Sequence, residues 1–236
     1  MANVFNSNSE EEEKLCCNQL VSRVFEKLLP LAPSDVKTRI MTKLGSDLRL
    51  YVTNPFASHI LETLLTLASF KQKSEQESPQ EFSEFRREWV LKVSKYCINN
   101  LAEFAQDSYA SHVLRSIFQC LAGFQLSKDL LRSKKSQGQA QTNLDLSKIE
   151  TTESIFDVND DEIQGVFALI CKKVEDLEDI NEICNYEISS EVLQCLLLVL
   201  CKKSGKLCKK LGKHITNEVF AGKYRFFFVT CSSDQT

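Results

Sequence analysis

One twelve-residue pattern occurs four times in this chain, and it restricts the fold more than any other feature. NQLVSRVFEKLL from Asn18, NPFASHILETLL from Asn54, DSYASHVLRSIF from Asp107 and YEISSEVLQCLL from Tyr186 align without gaps. The third position is large and apolar (Leu20, Phe56, Tyr109, Ile188), and the fourth is small (Val21, Ala57, Ala110, Ser189). The fifth is always serine: Ser22, Ser58, Ser111 and Ser190. Apolar pairs follow at Val24-Phe25, Ile60-Leu61, Val113-Leu114 and Val192-Leu193, and a second pair closes each segment. That spacing places apolar side chains at i, i+3, i+4 and i+7, which is one buried face of an α-helix.

The distances between the serines extend the pattern to a fold. Ser22 and Ser58 lie 36 residues apart, the length of a two-helix unit in a solenoid. The next two intervals are 53 and 79 residues, and their excess falls in polar stretches at about 71–87 and 125–157. Insertions between stacked units leave the stacking undisturbed, so both are expected to be loops. A candidate partner helix precedes three of the serine segments, running from Ser34, from Glu84 and from Asp161. Ser34 and Asp160 suit the N-caps of the first and last of these. A fifth such helix, KLCKKLGKHITNEVF, begins near Lys206. The expected fold is all-α, an α-solenoid of about four to five helical repeats over residues 15–220. An acidic disordered segment over 1–14 precedes it and an irregular tail over 221–236 follows.

Composition agrees and excludes several classes. Seven Gly and four Pro are too few for an all-β protein, which needs frequent turns. Ten cysteines contain no CxxC pair and no secretory signal opens the chain, so they read as reduced, mostly buried thiols. No metal or cofactor is expected. The longest apolar run, Cys195 to Cys201, is shorter than the roughly 20 residues a bilayer span requires, so no membrane partner is expected. An enzyme finds no support: no phosphate loop or Ser-His-Asp order occurs, and His59, His112 and His214 lack catalytic spacing.

The serine also has a polar partner. Residues i and i+4 share a helix face, which pairs Ser22 with Glu26, Ser58 with Glu62, Ser111 with Arg115 and Ser190 with Gln194. The residue after each serine (Arg23, His59, His112, Glu191) projects beside the pair. A small hydroxyl can also serve only to let helices approach while bonding back to its own backbone. Four in register, each with a polar partner, instead suggest that each unit meets one base edge. A carboxylate accepts both donors of a guanine edge, so Glu26 and Glu62 favour guanine. Arg115, a pure donor, favours an acceptor-rich edge such as cytosine, and Gln194 is uninformative. Glu191 cannot stack on a base and repels phosphate.

These triplets resemble those of Pumilio (PUF) repeats, in which each helical repeat reads one RNA base through two or three side chains. Within that class, FASHILETLL, YASHVLRSIFQCLAG, the acidic start and the loop after the third serine helix are most similar to the nucleolar protein 9 family. The resemblance implies a protein of the nucleus and nucleolus that binds single-stranded RNA, expected to be pre-rRNA, during small-subunit ribosome biogenesis. It also admits pre-ribosomal particle proteins as partners, and no DNA is expected. Members carry more repeats, so the chain is expected to be an N-terminal fragment or truncated isoform. The competing class is a protein-binding scaffold of HEAT or armadillo type without base recognition, which the acidic pI and Glu191 favour. Six lysines between Lys202 and Lys213, with no acid among them, offer a phosphate-binding ridge, a solvated face or an import signal.

Overall fold

Each serine segment needs a start signal, and in the first three its first residue supplies one. Asn18, Asn54 and Asp107 turn their side-chain oxygens onto the amides two and three residues ahead, at 2.7–3.2 Å. Such caps satisfy amides that the first helical turn leaves without partners. The computed structural model describes residues 14, 16–71, 80–126, 154–156 and 160–220. In it the four segments form α1 (Gln19–Leu28), α4 (Ala57–Ser69), α7 (Ala110–Ala122) and α10 (Glu187–Lys203).

The partner helices are α2 (Ser34–Leu44), α5 (Gln80–Asn99), α8 (Asp161–Glu175) and α11 (Gly205–Phe220). Three short helices intervene: α3 (Leu48–Thr53), α6 (Leu101–Phe104) and α9 (Ile180–Asn185). The three complete repeats, α2–α4, α5–α7 and α8–α10, therefore have three helices each, where the sequence pattern implied two. The break has local causes. Gly45 ends α2, and Asp47 and Asp179 cap α3 and α9 through the amides of Leu50 and Glu182. Asp160 caps α8 as expected, accepting from the Glu162 amide, whereas Ser34 is already helical and Pro33 precedes it.

Two layers result. Helices α1, α4, α7 and α10 pack in succession as one layer, and α2, α5, α8 and α11 as the other. A continuous apolar core runs between them, including Leu61, Leu65, Ile98, Phe104, Phe118, Phe167 and Leu200. Adjacent repeats also share polar ties. Trp89 of α5 donates its indole N–H to the Met41 carbonyl at the end of α2, at 2.6 Å. No strand occurs among the described residues, which hold only isolated bridge positions such as Phe70 with Ser154.

The two insertions differ from expectation in extent. Residues 80–87 are helical, with Phe82 and Arg86 buried, so α5 begins well inside the expected loop. Residues 72–79 lie outside the described residues. So do 127–153 and 157–159, the chain start through residue 13, and the tail over 221–236. Ser154–Phe156, from the second insertion, packs back on the body. The Ile155 amide donates to the Ser69 carbonyl at 2.9 Å, and Arg87 lies 6.0 Å from the Phe156 ring. Ser154 rests on Gly123, whose φ of +72° closes α7 in a left-handed turn. A Cβ there would stand 3.0 Å from that of Ser154.

Candidate nucleic-acid interface

The α1–α4–α7–α10 layer carries all the triplets in one row, with the serines beneath it. Ser22, Ser58 and Ser111 are 1–2% exposed. The Ser22 and Ser111 hydroxyls donate back to the Gln19 and Ser108 carbonyls, at 3.1 and 3.5 Å. Their small size lets neighbouring helices close over them. Ser190 stands apart: it is half-buried and donates to the Glu187 carbonyl at 2.8 Å, while its neighbour Ser189 is buried. Tyr186 supplies no side-chain cap, so α10 starts at Glu187 and its first turn is set differently.

Above the serines the row is polar. Arg23, His59, His112 and Gln194 are exposed, Glu26, Glu62 and Glu191 are half-buried, and Arg115 is buried. Between α1 and α4 lies a cleft of about 210 Å³ lined by Gln19, Ser22, Arg23, Glu26, Pro55, Phe56 and His59. It brings the whole first triplet together with the projecting residue of the second. Ser58 and Glu62 do not line it. Gln19, Pro55 and Phe56 are additions to the expected set; Gln19 and Pro55 occupy the second position of the repeat, which carries no pattern, and Phe56 the third, which the pattern assigns to apolar packing.

Towards the other end the row ties itself together. Glu62 Oε1 lies 3.4 Å from His59 Nδ1, and its second oxygen accepts from the Ser116 hydroxyl at 3.1 Å. That contact with Glu62 raises the His59 pKa against the lowering effect of burial, and Glu26 adds to the rise. His112 shifts the opposite way, lowered by burial and by the Arg115 cation. Arg115 Nη2 approaches His112 Nδ1 at 2.6 Å; since guanidinium only donates, Nδ1 accepts and the imidazole is neutral with its proton on Nε2. Arg115 Nη1 donates to Glu191 Oε2 at 2.8 Å.

Other charges lie outside the row. Arg87 pairs with Asp160 and Glu162, and Lys95 with Glu162, tying α5 to the start of α8. Of the six lysines, Lys210 pairs with Glu175 at 2.9 Å and Lys203 lies 5.9 Å from the Phe124 ring. Lys202, Lys206, Lys209 and Lys213 are exposed. Among the described residues no group of three or more His, Cys, Asp or Glu is placed to hold a metal ion. No described helix is long and apolar enough to cross a membrane. Burial pushes the Cys120 and Cys195 thiols up to about 12.

Solved structures with this architecture are PUF proteins. APUM23-GGAAUUGACGG superposes with a TM-score of 0.57 at 20% identity, over 92% of this chain and 41% of that one. The RNA-binding domain of yeast Puf5p bound to SMX2 RNA gives 0.55 at 14% identity, over 89% and 46%. The stacked three-helix units thus make this a PUF repeat solenoid. Residues 10–235 match the NOP9-like PUF repeat domain, and the chain belongs to that family. Nucleolar protein 9 of Talaromyces marneffei is 28% identical over 235 residues, which cover 90% of this chain and 33% of the relative. Nucleolar protein 9 of Candida albicans is 28% identical over 217 residues, covering 80% and 30%. The chain therefore spans about a third of the length of these curated relatives. PUF repeats are not an enzyme family.

Proposed function

We propose that the α1–α4–α7–α10 layer binds single-stranded RNA, with bases entering between the projecting residues of successive repeats. The observation that carries this reading is the cleft in which Arg23 and His59 flank Glu26. Guanidinium and imidazole planes stack on any base, and a carboxylate between them accepts from the donors of guanine. Ser22, Ser58 and Ser111 would serve each reading position from below, with Glu62 and His112 continuing the row and Ser190 and Gln194 contributing least. Membership of a family whose relatives are named nucleolar protein 9 supports a place in the nucleolus, acting on pre-rRNA in small-subunit assembly. The same reading assigns no catalysis, cofactor, membrane or DNA role, and leaves pre-ribosomal proteins as partners of the remaining surface.

The test is affinity for a guanine-rich single-stranded RNA, by fluorescence anisotropy, of wild type and of Arg23→Ala with His59→Ala. Each stacking contact contributes about 1–3 kcal/mol, so the double variant should bind at least about tenfold more weakly with an unchanged melting temperature. Equal affinity would favour the protein-scaffold reading.

A further inference from the structure

We propose that Glu191 closes the third reading position, acting as a built-in occupant that RNA must displace to reach Arg115. This inference rests on the RNA reading above and concerns which parts of the row are open.

The three charged residues four places after a repeated serine differ in what holds them. Glu26 has no hydrogen-bond or ion-pair partner among the described residues and faces the cleft. Glu62 keeps a partial exposure, with one oxygen near His59 and the other accepting from Ser116. Arg115 is 8% exposed. Both of its terminal nitrogens are engaged, one by Glu191 and one by His112, and its buried Nε has no partner among the described residues. One N–H of each terminal nitrogen is thus taken by a neighbour, and at 8% exposure little of the guanidinium is open to a base.

Glu191 is well suited to hold this position. An ionised carboxylate accepts from guanidinium more strongly than the neutral oxygen or ring nitrogen of a base. A base can take Arg115 only if Glu191 swings into solvent, and the exchange gives up a charge-assisted bond for a weaker one. The carboxylate also stands at the place where the fourth repeat would offer a stacking plane, and it repels a phosphate brought there. The seam beneath is tightly packed. Cys195 of α10 is fully buried, with its sulfur 3.8 Å from the Arg115 carbonyl. The Glu191 side chain, about one-third exposed, has room to move into solvent.

The experiment uses the full chain and labelled RNAs containing two adjacent guanines, alone or extended by one cytosine on either side. Wild type should bind the extended and unextended RNAs alike. Glu191→Ala should bind one extended RNA about tenfold more tightly than wild type does, the gain of one added base contact. Adding Arg115→Ala to it should abolish that gain. Glu191→Gln, which keeps the shape and an acceptor oxygen but loses the charge, should show a smaller gain and covers the case in which Glu191→Ala unfolds. Equal binding of all RNAs by wild type and both Glu191 variants would overturn the closure while leaving RNA binding intact. No binding of any RNA by wild type would overturn the RNA reading and the closure with it.

Discussion

The seam between the first two repeats and the seam between the last two are built from the same positions and end in opposite states. At each seam, the residue four places after one serine faces the residue one place after the next. At the first seam this diagonal is Glu26 and His59, at the second Glu62 and His112, and at the third Arg115 and Glu191. The first two set a carboxylate before an imidazole, and the third reverses the order, with a cation before a carboxylate. A histidine opposite a carboxylate keeps a flat ring available at the surface. A carboxylate opposite an arginine makes a compact, half-buried pair, and the surface there is spent on itself. One architecture thus yields an open slot or a bolted joint according to which end of the diagonal carries the positive charge.

The sharpest way to break this contrast is to remove one cation from each seam. Arg115→Ala strands Glu191 and opens a void beneath it, so it should lower stability by about 2–3 kcal/mol in urea unfolding. Arg23→Ala should change stability by less than about 0.5 kcal/mol, since its side chain is exposed. Equal effects would erase the distinction between joint and slot.

A smaller effect separates the capped repeats from the fourth. Asn54→Ala removes two amide contacts at the start of α4 and should cost about 1 kcal/mol. Tyr186→Ala removes no cap and, with Tyr186 46% exposed, should cost less.

The gentlest probe is titration of the two imidazoles by NMR. His59 should titrate above the ordinary 6.5 and His112 below it. The His59–Glu62 contact therefore contributes stability below pH 6.5 that is lost as pH rises through the raised His59 value. His112 works in the other direction: its contribution is present above 6.5 and lost as pH falls through its lowered value. Glu62→Gln should bring His59 back towards 6.5, and an unmoved His59 would show that Glu62 does not set its titration.

Much of this was readable in the residues. The four-fold segment located every helix of one layer, because a serine flanked by a small residue and apolar pairs has few other uses. The rest depended on proximity in space. Arg115 and Glu191 stand 76 residues apart and become neighbours only once the repeats are stacked in register. Local turn chemistry hid the third helix of each repeat: a single Gly45 or Asp179 decides a break that apolar periodicity runs straight through. The serines themselves kept their place in the pattern but lie under the row they mark, because a hydroxyl inside a helix finds its first partner in the preceding turn. Gln80–Arg87 looked like loop because its composition is polar, yet Phe82 and Arg86 are enough to seat it as helix.

Ser154–Phe156 has a mechanical consequence. Solenoids flex because each repeat touches only its neighbours, so bending accumulates along the stack as in a spring. This short segment crosses that rule. It is held at once by Ser69 at the end of α4, by Gly123 at the end of α7 and by Arg87 on α5. A brace fixed at three points across the second and third repeats stiffens that joint. Curvature changes demanded of the row are then taken up at the two outer seams, which carry no such brace among the described residues.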